Sequence, residues 1–169
     1  MNDPKKYSNS EIEDKLQSWF SGTHRVVIAG IGNPLRKDDF VGVKIVRDLE
    51  NKLPSSVHLI ECETVPESFM ESITELNPSH ILIIDAALLN LEPGGSKLVA
   101  PKELQERQVV STHAIPLQIF CHYLAQTTEA KIALLVIQPK DTSFGEGLTQ
   151  ELENTAKRVA KLLSRILGE

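Results

Sequence analysis

Three aspartates and one histidine have the types and the setting to do chemistry together. Asp38 and Asp39 are adjacent in Asn33-Pro34-Leu35-Arg36-Lys37-Asp38-Asp39, shortly after the apolar run Val26-Val27-Ile28-Ala29 and the turn Gly30-Ile31-Gly32. Asp85 directly follows Ile81-Leu82-Ile83-Ile84, and His113 lies in Ser111-Thr112-His113-Ala114-Ile115-Pro116. Asp39, Asp85 and His113 together offer two carboxylates and an imidazole, a donor set suited to a divalent transition ion such as nickel or zinc. Carboxylates gathered at one place without a cation repel, and one of them tends to hold a proton. A bound ion removes that conflict. A histidine leading into a helix is also disfavoured as imidazolium by the helix dipole, by roughly 0.3–1 kcal/mol at a surface site, and metal binding needs the neutral ring. The competing reading of the pair is structural: Asp38 or Asp39 caps a helix starting at Phe40.

These side chains can meet only if the elements carrying them share a polarity. Apolar runs predict strands over Val26–Ala29, Val57–Ile60, Ile81–Ile84 and Ile132–Ile137, with a further strand near Lys97–Val99. Helical periodicity predicts helices over Phe40–Asn51, Glu67–Leu76, Ile115–Ala125 and Leu148–Leu167. No helix fits between the strands at 81–84 and 97–99, so that pair is expected to be antiparallel, with the later strand at an edge. The rhythm predicts an α/β fold: a three-layer α/β/α sandwich around a twisted, mostly parallel five-stranded sheet with one antiparallel edge strand. In an open α/β sheet, sites form at the carboxyl ends of the strands. Asp38, Asp39, Glu61, Glu63, Asp85 and Gln138 all follow strands and share that rim. His24, His58 and His80 stand at strand starts, and His122 lies inside a helix. His113 alone among the histidines reaches the rim.

Upstream, residues 1–24 read as an N-terminal extension with a short amphipathic helix, and residues 25–169 as a single α/β domain. Residues 1–9 are expected to be disordered. Ser10-Glu11-Ile12-Glu13 reads as a capping box, and Ile12, Leu16, Trp19 and Phe20 fall on one helical face that should dock on the domain. The net charge of -5 argues against a nucleic-acid partner. No run is long and apolar enough to span a membrane, and the polar start lacks a signal-peptide core, so the cytoplasm is the expected compartment. The two cysteines, Cys62 and Cys121, sit among apolar residues and read as buried reduced thiols. No serine or cysteine lies beside an obvious base, which favours hydrolysis by water over an acyl-enzyme.

Gly30-Ile31-Gly32-Asn33-Pro34-Leu35-Arg36-Lys37-Asp38-Asp39-Phe40-Val41-Gly42 resembles the opening motif of the hydrogenase maturation endopeptidases. The resemblance continues through Thr64-Val65-Pro66-Glu67, Ile83-Ile84-Asp85-Ala86, Thr112-His113 with Pro116-Leu117, and Ile137-Gln138-Pro139, in the family's order and over nearly all of residues 25–168. It implies an aspartic-type endopeptidase that removes the C-terminal extension of a nickel–iron hydrogenase large-subunit precursor after nickel insertion. By position the family's ligands fall on Asp39, Asp85 and His113. The nickel belongs to the substrate and is the recognition signal, so the isolated protease need hold no metal. Asp38, where not used as a cap, is expected to act as base or to orient a ligand. The family implies a monomer, with the precursor as partner and neither nucleic acid nor membrane involved. The chain departs from the pattern at Glu63, where a glycine is expected, and at Gln150, where a proline is common and Thr149 should cap the last helix. The alternatives are a nucleotide-binding Rossmann-like module without activity, an aminopeptidase-like enzyme with its own ion, and a non-catalytic assembly factor. The first is opposed by the missing third glycine and by carboxylates placed where a phosphate would sit.

Overall fold

In a computed structural model of the chain, residues 9–106 and 109–168 are described. The expectation of disorder over residues 1–9 falls mostly outside them, and Asn9 already belongs to a helix.

Five strands form one sheet. They are β1 (Val26–Ile31), β2 (Val57–Glu63), β3 (His80–Ala86), β4 (Ser96–Val99) and β5 (Lys131–Ile137), in the order β2-β1-β3-β5-β4. The first four in that order run parallel, and β4 pairs antiparallel with β5. β4 is thus the antiparallel edge, but its partner is β5 rather than β3. The physical reason lies in β5: Ala133 to Ile137 is buried throughout, which demands a neighbour on each side and cover on both faces.

Alternation along the strands divides the core in two. One face carries Val26, Ile28, Leu82, Ile84 and Leu135, packed against α1 (Asn9–Trp19), α2 (Val41–Asp48) and α6 (Gln150–Leu167). The other carries Val27, Ala29, Ile81, Ile83 and Leu134, packed against α3 (Met70–Glu75), α4 (Lys102–Gln105) and α5 (Ala114–Thr127). The result is the expected three-layer α/β/α sandwich. The N-terminal helix docks on this same core: Ile12, Leu16 and Phe20 are buried in it. Ser10 lies within the helix rather than at its cap. His80, at the foot of β3, is closed over by the rings of Trp19 and Phe20. Burial there lowers its pKa and keeps the imidazole neutral. Cys62 and Cys121 are buried and free, and burial pushes both thiols up to about 12. No helix among the described residues is long and apolar enough to cross a membrane.

Several elements differ at their ends from the sequence expectation. β1 continues to Ile31 and β2 to Glu63, with a register shift between Gly30 and Ile31. β3 includes Asp85 and Ala86, so Asp85 sits inside the strand rather than after it. α3 is shorter than expected chiefly because the 3-10 turn Pro66–Phe69 precedes it; α2 also follows a 3-10 turn, Lys37–Phe40, but is shortened mainly at its end, where residues 49–51 form a turn with Asn51 at φ +62°. The start of α2 lies unusually close to the sheet. A Cβ placed on Gly42 would stand 2.1 Å from the carbonyl oxygen of Ile84 and 2.5 Å from that of Ile31. Gly32 is equally confined: its φ is +153°, and a Cβ there would be 2.2 Å from the Asp39 carbonyl oxygen. The glycines of the opening motif are therefore consumed by backbone packing between α2 and the ends of β1 and β3.

Gly42→Ala is expected to destabilise the fold by about 2 kcal/mol or more, since the methyl group would press on two backbone carbonyls that cannot swing aside. Urea denaturation checks this; an unchanged midpoint would show that α2 is free to lift off the sheet.

Candidate functional site

Asp39, Asp85 and His113 arrive from three segments and meet at one lip of the sheet. Asp39 sits in the 3-10 turn after β1, Asp85 near the end of β3, and His113 at the N-cap position of α5. β1 and β3 are adjacent parallel strands whose following segments leave towards opposite faces, the kind of switch point where open α/β sheets place their sites. Asp85 and Asp39 are 0% and 1% exposed, and His113 is 8% exposed. The imidazole lies between the carboxylates: Nδ1 is 3.4 Å from Asp85 Oδ1, and Nε2 is 3.6 Å from Asp39 Oδ2.

Every carboxylate oxygen here has a partner. Asp85 Oδ2 accepts the Ser111 hydroxyl at 2.5 Å, and Oδ1 accepts the Ala86 amide at 2.9 Å. Asp39 Oδ1 accepts the Thr112 hydroxyl at 3.0 Å, and Oδ2 accepts the Asn33 amide at 3.0 Å. Ser111 Oγ in turn accepts the His113 backbone N–H at 3.0 Å, which closes the 111–113 turn, while the Ser111–Asp85 bond holds that turn against β3. Burial raises the Asp85 pKa, against the opposing pull of His113 and Ser111. Burial works against protonation of His113, but Asp85 and then Asp39 outweigh it and raise its pKa, with Arg36 opposing. Ser111 and Thr112 bond to the two site carboxylates, a part that the sequence reading, which quoted both residues, did not give them. Their signal was local: two consecutive hydroxyls immediately before the one histidine at the rim.

The donor set suits a borderline divalent ion, yet the three groups do not converge on one point as they stand. The two ring nitrogens face different carboxylates, and among the described residues no group of three or more His, Cys, Asp or Glu is arranged to hold a metal ion. An ion shared by all three requires the imidazole to turn.

Asp38 is adjacent in sequence but separate in role. Its carboxylate accepts the backbone N–H groups of Lys140 and Asp141, both at 2.9 Å, the Thr149 N–H at 2.7 Å, and the Thr149 hydroxyl at 2.9–3.0 Å. It ties the segment between β5 and α6 to the start of α2, and both of its oxygens are engaged. Neither aspartate caps α2, whose N-cap is Phe40 with no side-chain bond. Thr149 does stand at the N-cap of α6, but its hydroxyl goes to Asp38 instead of the helix.

The remaining rim candidates have other partners. Glu61 forms a two-bond ion pair with Arg47 at 3.0 Å. Gln138 accepts the Leu89 N–H through its side chain at 2.7 Å. Glu63 is exposed and has φ +50°, with its carbonyl accepting the Gly32 N–H at 2.8 Å. That left-handed backbone is the reason a glycine is expected there. A cavity of about 490 Å3 opens at the opposite edge, lined by residues such as Glu13, Phe20, His24 and Arg165, and touches none of the triad.

Comparison with known proteins places the chain. Residues 43–166 match a family model described as hydrogenase maturation protease. A provisionally named hydrogenase maturation protease of Methanocaldococcus jannaschii is 34% identical over 166 residues, covering 94% of this chain and 97% of that protein. The Hydrogenase 3 maturation protease of Escherichia coli is 26% identical over 137 residues, 81% of this chain and 87% of that one. The crystal structure of a NiFe hydrogenase maturation protease from Thermococcus kodakarensis superposes with a TM-score of 0.84 at 33% identity, covering 92% of this chain and 99% of the other.

Asp38→Ala is expected to cost about 3 kcal/mol of stability, because it leaves buried backbone N–H groups without their charged acceptor. It should also make the 139–149 segment the first site of proteolytic nicking. Limited proteolysis with mass mapping, alongside urea denaturation, tests this; wild-type resistance would show that Asp38 is not the strut of that segment.

Proposed function

The chain belongs to the hydrogenase maturation protease family, and from that premise we propose that Asp39, Asp85 and His113 are the groups through which it recognises and processes a nickel–iron hydrogenase large-subunit precursor. It is a peptide hydrolase of hydrogenase maturation, and its bond to break lies before the precursor's C-terminal extension. The observation that carries the assignment of residues is the burial of two carboxylates on either side of one imidazole at the lip of the sheet. The nucleotide-binding alternative has no support: the glycines that suggested it are filled by backbone packing, and two buried aspartates stand ahead of α2.

The nickel is part of the substrate. Oxygen from Asp39 and Asp85 and one nitrogen of His113 are the donors that would meet it, which asks the ring to release one of its two carboxylate neighbours. The ion anchors the precursor and polarises the scissile carbonyl. What remains for this chain is to position water and take its proton, and the paired carboxylates are the bases within reach. An acyl-enzyme is disfavoured, because the one hydroxyl beside the imidazole, that of Thr112 at 3.2 Å from His113 Nδ1, donates to Asp39 Oδ1 at 3.0 Å. The Ser111 hydroxyl is buried and committed to Asp85, and the Cys62 and Cys121 thiols are buried with pKa values pushed up to about 12. Asp38 turns its carboxylate to the 140–149 segment, whereas only Asp39 and Asp85 stand beside His113, and on that ground it is assigned to the scaffold rather than to the proton transfer.

Asp39→Asn and His113→Ala are each expected to reduce tail removal by roughly a hundredfold or more while leaving the circular dichroism spectrum unchanged. Mass analysis of the released tail is the measurement, and wild-type processing by both variants would remove the residue assignment. Precursor prepared without nickel is expected to stay uncut under conditions where nickel-loaded precursor is fully processed. Equal cleavage of both forms would mean that the ion is not what the protease reads.

A further inference from the structure

Seven large apolar side chains are exposed among the described residues, and all of them gather at one end of the molecule. Leu35 follows β1, Val65 follows β2, Leu88 follows β3 and Phe144 follows β5. Val110 and Ile115 flank the 111–113 turn, and Ile119 lies one turn further along α5 from Ile115. A scattered exposed leucine needs no explanation. A set confined to the loops around one buried site does, because such patches mark surfaces that meet another molecule.

Phe144 is the most pronounced case. Its ring is 83% exposed, yet the loop that carries it is firmly held. Lys37 N–H donates to the Gly145 carbonyl at 3.0 Å, and Gly145 N–H donates to that of Leu35 at 2.9 Å. The Arg36 Nε donates to the Thr142 carbonyl at 3.1 Å, and Lys37 Nζ pairs with Asp141 at 2.8 Å. Asp38 grips the same loop from below through Lys140, Asp141 and Thr149. So many bonds spent on presenting a bare aromatic ring make a pre-organised anchor, the kind of group that dominates binding at protein interfaces. Leu88 and Val110 exchange backbone hydrogen bonds of 2.9 and 3.4 Å, which fixes the backbone that carries them, three residues after Asp85 and three before His113.

We infer that this apolar rim is the docking surface for the folded body of the hydrogenase large-subunit precursor, with Phe144 and Ile115 as its anchors. The inference rests on the functional reading above. The surface is continuous with the site where the substrate is processed: any bond brought to Asp39, Asp85 and His113 must cross it. Its shape selects the body over the tail. The apolar groups come from the loops after β2, β1, β3 and β5, and so lie on both sides of the adjacent strands β1 and β3 that lead to Asp39 and Asp85, whereas a single extended peptide would touch one line of them. The partner face that fits is apolar, desolvated on contact, and placed around the buried nickel.

The test is steady-state processing of nickel-loaded precursor by wild type, Phe144→Ser, Ile115→Ser and the double variant. Both positions are exposed, so melting temperatures are expected to match wild type. The expected result is a KM raised about tenfold or more in the double variant, with kcat at saturating precursor within about twofold of wild type. A KM unchanged in the double variant, with active wild type, overturns this inference alone. Absence of processing by wild type overturns the functional reading and this inference with it. Sedimentation of wild type as a dimer that the double variant dissolves would assign the rim to a second copy of the chain and overturn the proposal. Strong competition by an isolated tail peptide, equal to that of tail-less precursor, would assign the rim to the tail and overturn it too.

Discussion

Burying two carboxylates side by side is the constraint to which the rest of this molecule answers. Asp39 and Asp85 are almost wholly removed from water, and an unpaired buried carboxylate costs several kcal/mol even after relaxation. The fold meets that cost at each oxygen. Backbone N–H groups of Asn33 and Ala86 serve one oxygen of each aspartate, and the hydroxyls of Thr112 and Ser111 serve the other. His113 stands between them. Three consecutive residues, 111 to 113, thus supply three of the groups that make the pair tolerable. That turn is closed on itself by the His113 amide and held to β3 and the chain just after it by the Ser111–Asp85 contact and the Leu88–Val110 bridge.

The same constraint explains the glycines. To bring the carboxylate of Asp39 beside that of Asp85, the chain leaving β1 must turn tightly and re-enter over the end of β3. Gly32 lets the turn pass under the Asp39 carbonyl, and Gly42 lets α2 settle onto the carbonyls of Ile31 and Ile84. Asp38 then fastens the segment between β5 and α6 to the outside of this turn. The first aspartate of the pair is a strut and the second belongs to the site. Their neighbouring positions hide two unrelated roles, one facing a loop about a hundred residues away in the chain and the other facing His113.

That separation marks where the sequence was legible and where it was not. Uninterrupted apolar runs such as Ile81–Ile84 declare central strands, and strand polarity alone brings Asp39, Asp85 and His113 to one rim. Both follow from local pattern, and so does the docking of α1 through Ile12, Leu16 and Phe20. The role of Asp38 was not legible, because its partners Lys140, Asp141 and Thr149 are distant in sequence and two of the three, Lys140 and Asp141, offer it only backbone N–H groups. The pairing of β4 with β5 was hidden for the same reason: a local reading joins β4 to its predecessor β3, while the sheet places β5 between them. Glu63 is the instructive exception. A glycine expected there by resemblance has a physical cause in its φ of +50°, and the chain tolerates glutamate because the side chain points into open solvent while the backbone does the work of holding Gly32.

A site this closed also constrains how selectivity arises. With the carboxylates at most 1% exposed, little of the reactive centre is available to a passing peptide, whatever its sequence. Discrimination must then come from what a substrate can bring to the lip and from what it can rest on while doing so. On the proposed reading, a cation able to draw His113 away from one carboxylate would supply the first, since only a strong competitor for the same oxygens offsets the contacts that are lost. On the reading proposed above, the apolar rim would supply the second, by holding the precursor equally in its ground and transition states and so setting how readily it is captured. Such a division would let the protease be blind to most peptides and to precursor lacking its ion, using one buried charge cluster as the lock and a rigid ring of hydrophobic anchors as the hand that steadies the key.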